Sequence, residues 1–311
     1  MIKLLSAILS VLMLLCVSGC TTQSTVFNNQ DGVSITDCLG NTCALDSSSK
    51  IVVCYGSFAE CLQLSGLEPV GVTSDATDDH NLTFPKSTAI VGSVKSVNLE
   101  TITQLQPDYI ILSADLSAHL KLESSLKSLK LNYGYFRIDS FDDYDNLMAK
   151  LCEVSGRDDL YRKNVVNVKE NISAIKASFP KNSSKSALLI RAFSTGIKAK
   201  GDDNLAGQIL NEMGIHNIVD ENPSFLQSIS LEEILIQNPD YIFVLTMGDE
   251  QEALRYLEQE LQNNRFWQSL NAVKQGNYII LPKNLFHYKP NNRWDDSYEY
   301  LAKIIFPEIS R

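Results

Sequence analysis

A cysteine closes the first apolar run of the chain: Lys3 precedes Leu4 to Val17, and Val17-Ser18-Gly19-Cys20 follows. A run this short is a signal segment rather than a span, which needs about 20 apolar residues. The small residues before Cys20 fit a lipobox, in which a thioether lipid is added to the thiol and cleavage follows just before it. Cys38 and Cys43 flank Leu39-Gly40-Asn41-Thr42. If Gly40-Asn41 is a two-residue hairpin turn, those thiols face each other within disulfide range; two free thiols are the alternative. Cys54, Cys61 and Cys152 sit in apolar or helical runs and read as small core residues. Arg191 ends an apolar run, and its planar fork can hold a carboxylate or catecholate oxygen by two parallel bonds. A salt bridge to a neighbouring loop is the other reading. Tyr55 ends an apolar run before Gly56-Ser57, and His287-Tyr288 stand together; rings of this kind stack on a bulky ligand or ligate iron. Hydrolytic chemistry is not indicated. The chain has no GxSxG, no HExxH and four histidines, and Asp202-Asp203 and Asp295-Asp296 are adjacent pairs that read as caps and solvated charge.

The elements that position these residues follow from composition and pattern. A formal net charge of −10 argues against nucleic acid. Nothing after Cys20 is long and apolar enough to cross a bilayer, so a lipid on Cys20 is the expected membrane contact. Residues 1–19 are then a signal peptide and 20–31 a polar tether. A repeat divides the remainder. Asn98-Leu99-Glu100-Thr101-Ile102 leads to Pro107-Asp108-Tyr109-Ile110, and Ser230-Leu231-Glu232-Glu233-Ile234 leads to Pro239-Asp240-Tyr241-Ile242, with seven matching residues offset by 132 positions. Each copy predicts a capped helix stopped at proline and followed by a buried strand.

Around the first copy, strands are expected at Ile51 to Cys54, Pro69 to Thr73, Tyr109 to Leu112 and Tyr133 to Ile138, with helices at Phe58 to Ser65 and His119 to Leu129. Around the second, strands fall at Ala187 to Arg191, Tyr241 to Leu245 and Tyr278 to Leu281, with a helix from Leu205 to Met213 stopped by Gly214. This alternation predicts an α/β fold: two Rossmann-like lobes, residues 32–156 and 181–311, each around a central, mostly parallel sheet. Between them Leu160, Val165, Val168, Ile172 and Ile175 recur at helical steps without Gly or Pro. Residues 157–180 are therefore expected to form a single spine helix of roughly 33 Å joining the lobes.

In open α/β sheets ligands sit beyond the carboxyl ends of strands. That rule selects Tyr55, Ser57, Lys95 and Asp115 in the first lobe. In the second it selects Arg191, Phe193, Met247, His287 and Tyr288, with Arg293 and Trp294 behind. The set is aromatic and cationic on an acidic chain, which favours a bulky, partly apolar ligand with anionic groups.

Taken in order, these pieces resemble the helical-backbone (class III) solute-binding proteins that deliver ferric siderophores, haem and cobalamin to ABC importers. The resemblance rests on Ile51 to Ser57 with Glu60 on the next helix, Val70-Gly71-Val72, the two repeat blocks, the spine and the closing Trp294 to Phe306 helix, and it covers about residues 32 to 306. It implies a monomeric lipoprotein on the outer face of a bacterial cell membrane. Such a protein has no catalysis and no cofactor, and its partners are an ABC permease dimer with its ATPase. It further implies that Glu100 and Glu232 meet arginines of the permease, one glutamate per lobe, where the helix dipole favours a negative charge.

A ferric siderophore ranks first as ligand, because the chelator already satisfies the iron. Haem ranks second, with Tyr55, His287, Tyr288 or Met247 available as axial ligand. A corrinoid ranks third, since Val94 and Asp75 or Ala76 stand where cobalamin binders carry aromatic residues. The iron belongs to the ligand, and Tyr288 or His287 are the candidates for touching it directly. Lower readings are a zinc or manganese carrier, which would need His80, His119, His216 and His287 to converge, and an exported enzyme.

Overall fold

In a computed structural model, residues 32–180, 183–221, 226 and 230–308 are described, and they build two five-stranded sheets. The signal segment and the whole tether, Cys20 included, lie outside the described residues. The first sheet runs in the order Ala89–Ile90, Gly71–Val72, Ile51–Val53, Tyr109–Ser113, Tyr133–Phe136, and every neighbouring pair is parallel. Successive side chains of a strand face opposite ways. Ile51, Val53, Tyr109 and Ile111 therefore enter one apolar core while Val52, Ile110 and Leu112 enter another. Burial on both faces is what makes these strands read as unbroken apolar runs.

The second sheet has the order Gly196–Ala199, Ser186–Phe193, Tyr241–Thr246, Tyr278–Ile280, with His216–Asn217 paired to the start of the long strand. Its pairs are parallel except the hairpin of Ser186–Phe193 with Gly196–Ala199. Here too the faces alternate: Leu188, Ile190, Ile242 and Val244 enter one core, Leu189, Tyr241, Phe243 and Leu245 the other.

The repeat has a physical basis. The capped helices Leu99–Leu105 and Leu231–Gln237 both end at a left-handed residue, Gln106 and Asn238. After each comes an aspartate that ties down the lobe's first long strand. Asp108 Oδ2 accepts from the amide of Lys50 at 2.7 Å, and Asp240 Oδ2 accepts from that of Ser186 at 2.8 Å. Asn132 and Asn277 donate to the carbonyls of the same two aspartates at 3.3 and 3.0 Å.

The spine departs from a plain α-helix. Asp158–Tyr161 and Asn167–Ala177 are α-helical, and Arg162–Val166 between them is a π turn. A π turn loosens the usual ladder, and here the buried Asn164 uses that freedom. Its carbonyl accepts from the hydroxyl of Tyr144 at 3.1 Å, and its side chain donates to Leu64 O at 2.9 Å. The helix expected over His119 to Leu129 is also divided, into Ser117–Leu120 and Glu123–Ser128. His119 is drawn into the core, where Nδ1 accepts from the Ser113 amide at 3.0 Å and Nε2 meets Val94 O at 2.9 Å.

Of the two readings of Cys38 and Cys43, the bridge is corrected in favour of free thiols. Val33–Thr36 pairs with Thr42–Leu45 in a register that sets Ile35, not Cys38, opposite Cys43, and both thiols are free. Asp37 builds the longer loop by accepting from the amides of Leu39 at 2.9 Å, Asn41 at 2.7 Å and Tyr135 at 2.8 Å.

One apolar core passes from Ile51 and Val53 through Val165, Val168 and Ile172 of the spine to Leu301 and Ile305 of the closing helix Trp294–Ile305. Polar ties reinforce it where the segment before that helix lies against the helix Gly56–Leu64. Fully buried Asn291 donates to Ser57 O at 2.9 Å and to Glu60 Oε2 at 2.7 Å, and Arg293 pairs with Glu60 at 2.8 Å.

Candidate functional site

The carboxyl ends of both sheets open onto one cavity of about 370 Å³. Tyr55 lies two residues past the end of the strand Ile51–Val53 and caps the next helix with an extended backbone. Asp115 lies just past Tyr109–Ser113, and Ile138 and Asp139 just past Tyr133–Phe136. Across the cavity stand Arg191 near the end of the long strand, Leu245 and Met247 at the end of Tyr241–Thr246, and the segment Phe286 to Pro290. Trp294 forms part of the wall; its indole is buried and meets Phe141 edge-on at 5.9 Å.

Of the residues the sequence nominated, Tyr55, Asp115, Arg191, Met247, His287, Tyr288 and Trp294 line this cavity, and Ser57, Lys95, Phe193 and Arg293 do not. Ser57 is fully buried on the first turn of its helix, with Oγ 3.4 Å from His80 Nε2 and accepting from the Lys289 amide at 3.4 Å. Lys95 is exposed at the turn of the small hairpin Gly92–Ser93 with Ser96–Val97. Phe193 ends its strand at the turn into Gly196–Ala199. Arg293 is spent on Glu60. Lys198 lies on the strand Gly196–Ala199 opposite Arg191.

The cavity's electrostatics differ from the cationic set expected. Arg191 is its one cation without an ion pair among the described residues: its Nε is buried with no partner, and burial lowers its pKa against the pull of Asp203. Burial also opposes ionisation of Asp203, but bonds from Lys200 and Asn204 outweigh it and hold that carboxyl below its usual range. Lys289 is shared between Asp115 at 3.7 Å and Asp139 at 3.4 Å, and Arg137 binds Asp115 at 2.6 Å. Burial, then the charges of Lys283 and Arg191, push His287 down to about 4, so its imidazole is a neutral lone-pair donor near pH 7. Burial pushes the Tyr55 phenol up to about 12 and raises that of Tyr288. The Tyr288 ring lies between His80 at 4.7 Å and His287 at 4.9 Å, tilted by 42° and 44° to them, in a three-ring cluster.

Sequence reasoning missed Asp139, Asp203, Asn204 and Leu205 as wall residues. Asp139 was within reach, since it stands one residue past a strand expected to end at Ile138. Asp203 and Asn204 carried no such signal, because they arrive through the antiparallel strand Gly196–Ala199. They introduce the helix Leu205–Glu212, which Asn204 caps by accepting from the Gly207 amide at 3.2 Å. The positive end of that helix dipole therefore lies at the cavity wall and favours negative charge there.

A family model described as periplasmic binding protein matches residues 51–285. The chain belongs to this family. The Fe(3+)-citrate-binding protein YfmC of Bacillus subtilis (strain 168) is 27% identical over 285 residues, covering 88% of this chain and 87% of that protein. Among solved structures, Staphylococcus aureus SirA complexed with staphyloferrin B superposes with a TM-score of 0.66 at 20% identity, covering 88% of this chain and 98% of that one. S. aureus IsdE complexed with heme gives 0.67 at 18% identity, covering 83% and 99%. These likenesses agree with the fold: helical-backbone, class III architecture with two α/β lobes.

As a periplasmic binding protein the chain offers two further surface features. Glu100 and Glu232 are both exposed in the first turns of the repeated helices, and neither lines the cleft. Among the described residues no three His, Cys, Asp or Glu side chains converge as a metal cage. The zinc-carrier reading loses His119 to the core, where both of its ring nitrogens are bonded.

Proposed function

We propose that this periplasmic binding protein captures a ferric siderophore in the cleft between its lobes and hands it to an ABC permease energised by its ATPase. The observation that carries the reading is Arg191. A half-buried guanidinium with an unpartnered Nε and no ion pair among the described residues, in one wall of the cleft, is a receptor for an anionic oxygen. The Leu205–Glu212 helix terminus adds to the attraction, while Tyr55, Met247, Tyr288 and Trp294 supply apolar and aromatic wall. The relatives bind ferric citrate, petrobactin and heme by name. In this reading Cys20 carries the lipid that holds the protein at the outer face of the cell membrane, the protein works as a monomer, and Glu100 and Glu232 dock it to the permease.

Haem is the second reading, favoured by the His80–Tyr288–His287 ring cluster and by an imidazole that stays neutral near pH 7. A corrinoid is third. Absorbance and native mass spectrometry of protein purified from cells grown in rich medium separate them. The proposal expects a ferric charge-transfer band and a bound mass of siderophore size. A Soret band transfers the assignment to haem, and one-to-one binding of bare Zn²⁺ or Mn²⁺ with no organic ligand overturns both.

A further inference from the structure

The two copies of the repeated helix agree in what they bury and differ in what they show. Ile102 and Ile234 are both fully buried, and Glu100 and Glu232 are both exposed. On the outer face, exposed Thr103 and Gln104 of the first copy become Leu235 and Ile236 in the second. Ile236 is 71% exposed, and Phe266, 48% exposed, stands on the same surface. Leu231, Glu232, Leu235, Ile236, Asn264 and Phe266 line one groove of about 490 Å³. Leu235 is partly buried against the lobe's core, but Ile236 and Phe266 are left in water, and the first copy folds the same way with Gln104 in the place of Ile236. The fold therefore does not require an apolar residue at position 236.

We propose that this groove is the apolar part of the docking surface for the importer's membrane-embedded permease. It would take an apolar side chain of the permease that stands beside the basic group meeting Glu232. The inference rests on the reading that Glu232 docks to the permease. Continuity selects this occupant, because Glu232 is itself a wall of the groove, so a cation reaching its carboxylate brings its neighbours over Ile236 and Phe266. Charge agrees: among the described residues Glu232 is the groove's one charged lining residue, with the Arg265 guanidinium 4.7 Å from the Phe266 ring beside it, on a chain of net charge −10, which suits a basic partner. An apolar anchor beside a charge that aligns it is the usual composition of a specific interface. The two lobes then dock unequally, the first through Glu100 and polar neighbours, the second through Glu232 and a desolvated anchor.

The test is photocrosslinking in the cells that make the full chain. A benzophenone side chain replaces exposed Thr103, Ser230 or Ile236 in turn, so that Glu100 and Glu232 stay in place, and the joined partner is identified by mass spectrometry. The proposal expects positions 230 and 236 to join the same multi-span membrane protein. It also expects the double variant Ile236→Ser, Phe266→Ser to cut the yield from position 230 at least tenfold, while Leu129→Ser, which removes an exposed leucine outside the groove, leaves it unchanged. A product of twice the chain's own mass from position 236, or lipid alone, overturns the proposal in favour of a second copy or the membrane surface. Permease joined from 230 but not from 236, or a double variant with undiminished yield, overturns the groove and leaves the Glu232 reading standing. No permease product from 103 or 230 defeats the underlying reading itself.

Discussion

Single side chains set the character of the cleft, and His287 illustrates how. Its imidazole is crowded by burial and by Lys283, Arg191, His80 and Lys289, which keeps it neutral down to about pH 4. In the unfolded chain a histidine takes its proton near 6.5. Between those values the unfolded state binds more protons, so acidification from about 6.5 towards 4 removes stability. His80 and His119, also lowered by burial, act in the same direction. Thermal melts across that window should fall steadily for the natural chain and less steeply for His287→Gln; equal slopes would show that His287 carries no such load. The same neutral imidazole leaves Arg191 as the cleft's unpaired positive charge among the described residues, which narrows where an anionic oxygen can bind.

The elements were legible wherever one local pattern decided them. Tyr109–Ser113 and Tyr241–Thr246 are buried on both faces, so their apolar runs announce them, and the capped helix before each carries its own start and stop signals. Strand ends then pointed to Tyr55, Arg191 and Met247 in the cleft. What stayed hidden was decided at a distance. The loop that separates Cys38 from Cys43 is shaped by Asp37, whose carboxylate accepts from Tyr135, 98 residues away. The π turn of the spine depends on Asn164 meeting Tyr144 and Leu64, and Arg293 was lost from the cleft to Glu60 on another element. No window of sequence contains both partners of such contacts. The repeat yields a prediction at this scale. Asp240 is part-buried and bonded to both the amide and the hydroxyl of Ser186, whereas Asp108 is exposed and bonded to one amide. Asp240→Ala should therefore cost about 1–2 kcal/mol in urea unfolding, and Asp108→Ala clearly less; equal losses would contradict the strand-tying role.

Over the whole molecule, the lobes share an apolar core through the spine and are tied again by Asn291 and the Glu60–Arg293 pair. Glu60 keeps 9% of its side chain exposed and Arg293 35%. Glu60→Gln leaves the guanidinium without its countercharge and should destabilise by about 2–3 kcal/mol, below the full penalty for a buried pair because Arg293 still reaches solvent. A change under about 0.5 kcal/mol would show the tie to be incidental. A body held this firmly presents Glu100 and Glu232 as fixed features of its surface rather than as ends of a loose hinge. Reversing both charges, Glu100→Lys with Glu232→Lys, should abolish uptake of iron in cells while ligand affinity stays within about twofold; undiminished uptake would remove the docking role.

In the proposed function an anionic ligand is held between the lobes by Arg191. Fluorescence titration with a panel of ferric siderophores and ferric citrate reads it directly, on the natural chain, on Arg191→Ala and on Lys95→Ala. The account predicts that the best ligand loses about 10- to 100-fold in affinity with Arg191→Ala, as expected for a charge-assisted bond of about 1.5–3 kcal/mol, and changes less than about twofold with Lys95→Ala. Unaltered affinity in Arg191→Ala, or an equal loss in Lys95→Ala, would contradict it.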